Sequence, residues 1–146
     1  MTPNGTRATP KKITSHRDLE VWQRAFALSM KLFRASKSFP REEAYSLTSQ
    51  VRRSSRSVTT SITEAWRKRR YEGAFVAKLS DAETEAAETQ DWLHYAVECG
   101  YLDRAEGRHM YAEYERIVRT LVGIIAHADK WTFPRTPSAA RQRAGS

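Results

Sequence analysis

Between residues 16 and 131 apolar side chains return every three or four positions, and breakers fall at only three places. That pattern predicts four helices and no strand. The first helix is expected from about 16 to 38, with Leu19, Trp22, Phe26, Leu28, Leu32 and Phe33 on its apolar face. Ser15 and Asp18 have the spacing of a capping box at its start. Phe39-Pro40 interrupts it, because proline disfavours helix at the residue before it yet suits a helix's first turn. Arg41-Glu42-Glu43 then opens the second helix, with acids where the helix dipole favours them. This helix is expected to reach about Arg69 along a seam of Leu47, Val51, Ser54, Val58, Ile62 and Ala65, small enough in places for a neighbour to approach closely. Gly73 marks the next break, after which Phe75, Leu79, Ala82, Ala86, Leu93 and Val97 carry the third helix to Gly100. Asp103, with Glu106 three residues on, caps the fourth. That helix uses Met110, Tyr114, Ile117, Leu121, Ile124, Ile125 and Ala128, and ends near Trp131, before Pro134. Long helices joined by short connections predict an all-α, antiparallel up-down-up-down four-helix bundle over residues 16–131.

A chain of 146 residues, 40 % of them hydrophobic, has material for one core and one domain. Its single cysteine, Cys99, has no partner for an internal disulfide and forms no zinc-ligand pattern, which fits a reducing compartment. No apolar run approaches the roughly 18 residues needed to span a bilayer, and residues 1–18 lack the apolar core of a signal peptide. The expectation is a cytoplasmic protein without a membrane span.

Charge changes the picture by where it sits. Of the net +8, residues 1–17 supply +4 through Arg7, Lys11, Lys12 and Arg17, and residues from 132 onward supply +3 through Arg135, Arg141 and Arg143. The stretch between is close to neutral. Both ends are rich in Pro, Gly, Ser, Thr and Ala and poor in large apolar residues, a composition that cannot bury enough surface to fold alone. Residues 1–15 and 132–146 are therefore expected to be flexible basic arms, with Lys11, Lys12, Arg17, Arg141 and Arg143 as candidate contacts to a polyanion.

Within the bundle, charge separates by helix. From 42 to 70 seven basic residues face three acids, whereas from 72 to 98 Lys78 alone faces seven acids. On the second helix Arg52, Arg56, Thr60, Thr63, Arg67 and Arg70 step by three or four, which puts the arginines on one face. The stripe runs into Arg67-Lys68-Arg69-Arg70, with Trp66 and Tyr71 beside it as potential stacking surfaces. Arginine suits bidentate phosphate contact, so this face is a candidate track for an RNA backbone. The plainer reading is a solvated face, or one paired with the acids of the third helix in the same or a neighbouring subunit. The four tryptophans, Trp22, Trp66, Trp92 and Trp131, fit core or interface positions better than base platforms.

Catalytic patterns are scarce. Glu106-x-x-His109 and Asp91-x-x-His94 have the spacing of di-metal bundle ligands, but no matching carboxylates stand on the other two helices, and Glu106 already serves as a cap residue. There is no P-loop, GxSxG, dinucleotide fingerprint or HExxH, and His16, His94, His109 and His127 are scattered. The expectation is a protein without enzymatic activity, metal or cofactor.

Several ordered blocks carry a resemblance. Phe39-Pro40-Arg41-Glu42-Glu43, Leu47-Thr48-Ser49-Gln50-Val51-Arg52-Arg53, Ser57-Val58, Ile62-Thr63-Glu64, the run Ala82 to Gln90, and Cys99-Gly100-Tyr101-Leu102 are the blocks concerned. Together they resemble the four-helix family of proteins encoded in intervening sequences of 23S ribosomal RNA genes. That family's relatives include the accessory variability determinant proteins of diversity-generating retroelements. The resemblance covers about residues 17–131. It implies an antiparallel four-helix protomer, a ring-like homopentamer, no known enzymatic activity and, by way of the retroelement relatives, work with a reverse transcriptase and its RNA template. A protein–protein scaffold of an rRNA intervening sequence is the alternative. The chain departs from the family at Ser61-Ile62-Thr63-Glu64-Ala65, where Asn-Ile-Ala-Glu-Gly is common. Without that glycine the second helix is expected to run straighter.

Overall fold

A computed structural model describes residues 12–134, and Lys11, Arg141 and Arg143 lie outside them, as does most of each expected arm. Among the described residues there are four long helices and no strand: α1 (Glu20–Ser36), α2 (Leu47–Arg67), α3 (Glu72–Glu98) and α4 (Arg104–Ala126), followed by a single turn, α5 (Ala128–Trp131). The helix α1 packs on α2 and α4, α2 on α3, and α3 on α4, so the four enclose one core. No helix is long and apolar enough to cross a membrane.

The core forms where the apolar spacing put it, with differences at the edges. All six seam residues of α2 are buried, as are Phe75, Leu79, Ala82, Ala86 and Leu93 of α3 and Met110, Tyr114, Ile117 and Leu121 of α4. On α1 the buried line runs through Val21, Ala25, Leu28 and Leu32, while Phe26 is 47 % exposed and stacks on Trp22. A short residue, Ala25, meets the core where the large aromatic one does not. Ala65 is fully buried, and α2 is unbroken at that level.

Three expected boundaries move. The acids after Pro40 do not open α2. Arg41–Glu43 form a separate 3₁₀ turn, and the chain breaks at Ser46 (φ −127°, ψ −106°) before Leu47 begins the helix. Phe39 and Leu47 are both buried, and the segment between them must loop outward to bring both to the core. At the other end α2 stops at Arg67, and Lys68, Arg69 and Arg70 form the turn to α3, so Gly73 lies inside the first turn of α3 rather than at the break. The start is also subdivided: Ser15 and Asp18 do form a capping box, but on the 3₁₀ turn His16–Asp18, and α1 begins two residues later.

Gly100 behaves as expected. It takes φ +77°, a conformation costly for residues with a Cβ, and the Tyr101 N–H donates to the Ala96 carbonyl while the Gly100 N–H donates to Val97, closing α3. Asp103 then accepts from the Ala105 and Glu106 N–H groups and starts α4. Gly107 allows α4 to press on α3, since a Cβ there would meet Val97 Cγ2 at 2.4 Å.

The contact between α2 and α3 has an unusual composition. Ser54, Ser55, Thr59 and Thr63 donate their hydroxyl protons to carbonyls one turn earlier in α2, which lets these polar residues enter packed faces of the helix; Ser54 meets α3, whereas Thr63 also accepts from the Trp22 indole N–H of α1. Thr89 Oγ1 lies 2.8 Å from Ser54 Oγ and 2.8 Å from the Glu85 carbonyl, both Ser54 and Thr89 being fully buried. Arg53 pairs with Glu85 and Glu88, and Glu64 with Lys78, so position rises along α2 as it falls along α3.

Candidate nucleic-acid interface

The arginine face of α2 divides into two parts. Near its start, Arg52 donates from Nε to Ser36 Oγ at 2.8 Å, and its guanidinium stands 4.8 Å from the centre of the Phe33 ring on α1. Arg56, one turn on, is 5.8 Å from the same ring, and Lys37 Nζ is 4.9 Å from it. Three cations thus gather round one aromatic ring, whose negative face partly compensates their mutual repulsion. Among the described residues none of the three has a carboxylate within ion-pair distance. Sequence spacing found Arg52 and Arg56 but missed Lys37, which follows the last residue of α1 and joins the group because α1 packs against α2. The sequence held no signal for it beyond its place one turn after Phe33, which the spacing assigned to the apolar face.

The second part lies at the far end of α2, about 22 Å away for Arg67 at 1.5 Å per residue. Arg67, Lys68 and Arg70 are exposed. Because the helix ends at Arg67, Arg70 is carried by the turn and does not continue the helical stripe. Arg69 is turned inward. Its guanidinium lies 3.4 Å from the Trp66 ring centre and 4.8 Å from that of Phe133, and its Nε donates to the Trp66 carbonyl at 2.9 Å. Burial, and then the charge of Arg67, lower its pKa. Trp66 is buried beneath Arg69 and offers no open face, as expected of a core tryptophan, whereas Tyr71 is exposed. The Phe133 N–H donates to the Arg69 carbonyl at 3.0 Å, so residues 132 and 133, assigned to the arm on composition, are held against the end of α2. At the other terminus Lys12 and Arg17 are exposed, and Arg17 lies in the capped 3₁₀ turn.

Neutralisation by α3 is selective. Its acids take Arg53, at the back of the stripe, and Lys78 pairs with Glu64 and Asp81. Burial and the neighbouring Glu88 raise the pKa of Glu85 against the opposing pull of Arg53, and the hydrogen bond from Lys78 to Glu64 raises that of Lys78. On the stripe the paired arginine is therefore Arg53, and Arg52, Arg56, Arg67 and Arg70 have no ion-pair partner among the described residues.

Beside the first cation group the surface is concave. Ala44, Tyr45, Thr48, Ser49, Arg52, Arg53, Arg56, Ser57 and Thr60 line an open depression of about 600 Å³. Tyr45 stands 98 % exposed at its edge, a position created by the break before α2. Elsewhere, His94 packs edge-on against Tyr111 in a cleft between α3 and α4, and no three His, Cys, Asp or Glu residues among those described are grouped as metal ligands.

A family model described as 23S rRNA-intervening sequence protein matches residues 17–123. Among solved structures the chain is similar to a protein of unknown function from the S23 ribosomal protein family of Bacteroides thetaiotaomicron. The two are 24 % identical, with 73 % of this chain and 95 % of that one covered and a TM-score of 0.67, a likeness of fold. No curated protein matches.

Proposed function

The chain belongs to the 23S rRNA-intervening sequence protein family, and from that premise we propose that it is a non-enzymatic, oligomeric accessory protein that holds RNA against the unpaired arginines of α2. One observation carries this reading: Lys37, Arg52 and Arg56 share the Phe33 ring with no carboxylate against them. The acids of α3 that form ion pairs go to Arg53, Lys78 and Arg104, and none goes to these three cations. Three cations left open at one place favour a polyanion, and phosphate accepts from guanidinium in two-pronged fashion. In this proposal the helices alternate up and down, protomers close into a homopentameric ring in the cytoplasm, and repetition of the arginine face makes a wide basic surface. The partner is an RNA, with a reverse transcriptase acting on that RNA as the associated protein.

The competing reading is a protein–protein scaffold, favoured by Phe26 and Met30 on the outer side of α1 and Val122 on α4, all exposed. Both readings need an oligomer, and light scattering that finds only a 16.8 kDa monomer would remove the ring from either. Salt dependence separates them. Each phosphate contact on a single strand contributes roughly −0.7 to the slope of log affinity against log salt. Changing Arg52, Arg56, Arg67 and Arg70 together to Gln is expected to flatten that slope by up to about 3 units per protomer engaged, with helical content and unfolding retained. An unchanged slope and affinity would put the scaffold first.

A further inference from the structure

The depression at the start of α2 has features that a bare phosphate track does not need. A phosphate-binding face calls for cations and hydrogen-bond donors. This one also presents an aromatic ring with nothing of its own fold on either side: Tyr45, 98 % exposed. At the rim of a cationic groove, an exposed tyrosine ring offers a flat face on which a planar partner can stack. The groove lining contains no acid. Thr48, Ser49, Ser57 and Thr60 line it, and the Thr48 hydroxyl oxygen is covered and has no hydrogen-bond partner among the described residues.

We infer that this depression is a single-strand RNA subsite, in which Arg52 and Arg56 hold successive phosphates and Tyr45 stacks on an unpaired base. The inference rests on the RNA reading above and narrows it. Arg52 and Arg56 are one helical turn apart, a rise of about 6 Å, which is close to the separation of neighbouring phosphates in an extended strand. Phe33 holds both guanidinium groups from one side, so less side-chain freedom is lost when a phosphate arrives. Tyr45 stands in the turn just before α2 and lines the same depression as the two arginines. In a duplex the bases are stacked on each other and cannot reach such a ring; only an unpaired base can. Arg53 lines the same groove, but its guanidinium is engaged by Glu85 and Glu88, so it shapes the wall instead of carrying a phosphate.

The test compares the full chain with its Tyr45→Ala and Tyr45→Phe variants on a fluorescent single-stranded RNA and on a duplex RNA of the same length, at fixed salt. Tyr45 touches no core residue closely enough to be buried, so both variants are expected to fold, and circular dichroism checks this. Tyr45→Ala should weaken single-strand binding roughly tenfold, Tyr45→Phe should restore it, and duplex binding should change less than about twofold for either. Single-strand affinity that survives Tyr45→Ala within about twofold, or an equal loss on duplex, overturns the inference. The quadruple arginine variant, run beside them, tells the two failures apart. If it flattens the salt slope while Tyr45→Ala does nothing, RNA binding stands and the stacking subsite falls; if neither variant alters binding, the RNA reading falls and takes the subsite with it.

Discussion

Along α2, Arg53 turns toward α3, where Glu85 and Glu88 take its guanidinium, while Arg52, one residue earlier and about 100° round the helix, rests on Phe33 of α1 with no acid beside it. The two sides of this helix follow different rules. Toward α3, polar groups find partners: hydroxyl to carbonyl, Thr89 to Ser54, Arg53 to two glutamates. Toward α1 and solvent, cations accumulate unmatched on an aromatic ring. The difference teaches that the net basic charge of a helix says little by itself. What matters is which cations the fold has already answered.

The contrast is sharpened first by attacking the matched side. Thr89→Val keeps the shape of the side chain but leaves the buried Ser54 hydroxyl facing a methyl group, and should destabilise the protein by about 1–3 kcal/mol in urea unfolding. Adding Ser54→Ala should recover part of that loss, because an apolar pair is better than half a polar one. RNA affinity of the folded variant should stay as it was. A Thr89→Val protein as stable as the parent would mean that the hydroxyl pair adds nothing to the α2–α3 contact.

The smaller effect distinguishes the adjacent arginines. Arg53 and its two glutamates are partly exposed, so Arg53→Gln should cost less than about 1 kcal/mol, and a double-mutant cycle with Glu88→Gln should assign most of that to the pair. Arg52→Gln should cost little stability and yet weaken RNA binding, whereas Arg53→Gln should leave binding nearly unchanged. Equal effects of the two on binding would erase the distinction between matched and unmatched arginines.

The sequence made the helices and the seam legible because a buried face imposes its own period: Leu47, Val51, Ser54, Val58, Ile62 and Ala65 could be read without coordinates, and all are buried. It misplaced the start of α2 because the acids of Arg41-Glu42-Glu43 suit any N-terminal turn, including the 3₁₀ turn that they form. Tertiary demand to bury both Phe39 and Leu47 decided the matter, and no local preference records it. The arginine stripe was legible as a spacing, but its division was not. That Arg53 would be answered by α3, that Lys37 would join from α1, and that Arg69 would fold back on Trp66 all depend on which helix lies beside which. Tyr45 carried no signal at all, since it lies outside the seam spacing and its exposure follows from the break at Ser46.

The stacking of Arg69 between Trp66 and Phe133, with the backbone bond from Phe133 to Arg69, has a consequence in polymer terms. It makes Phe133 a graft point. The chain beyond it carries Arg135, Arg141 and Arg143, and even with the chain drawn fully straight the backbone of Arg143 lies no more than about 36 Å from that anchor. Those charges are thereby leashed to the end of α2 where Arg67, Lys68 and Arg70 are displayed, and any polyanion that settles there meets them at a local concentration set by tether length and not by the amount of protein in solution.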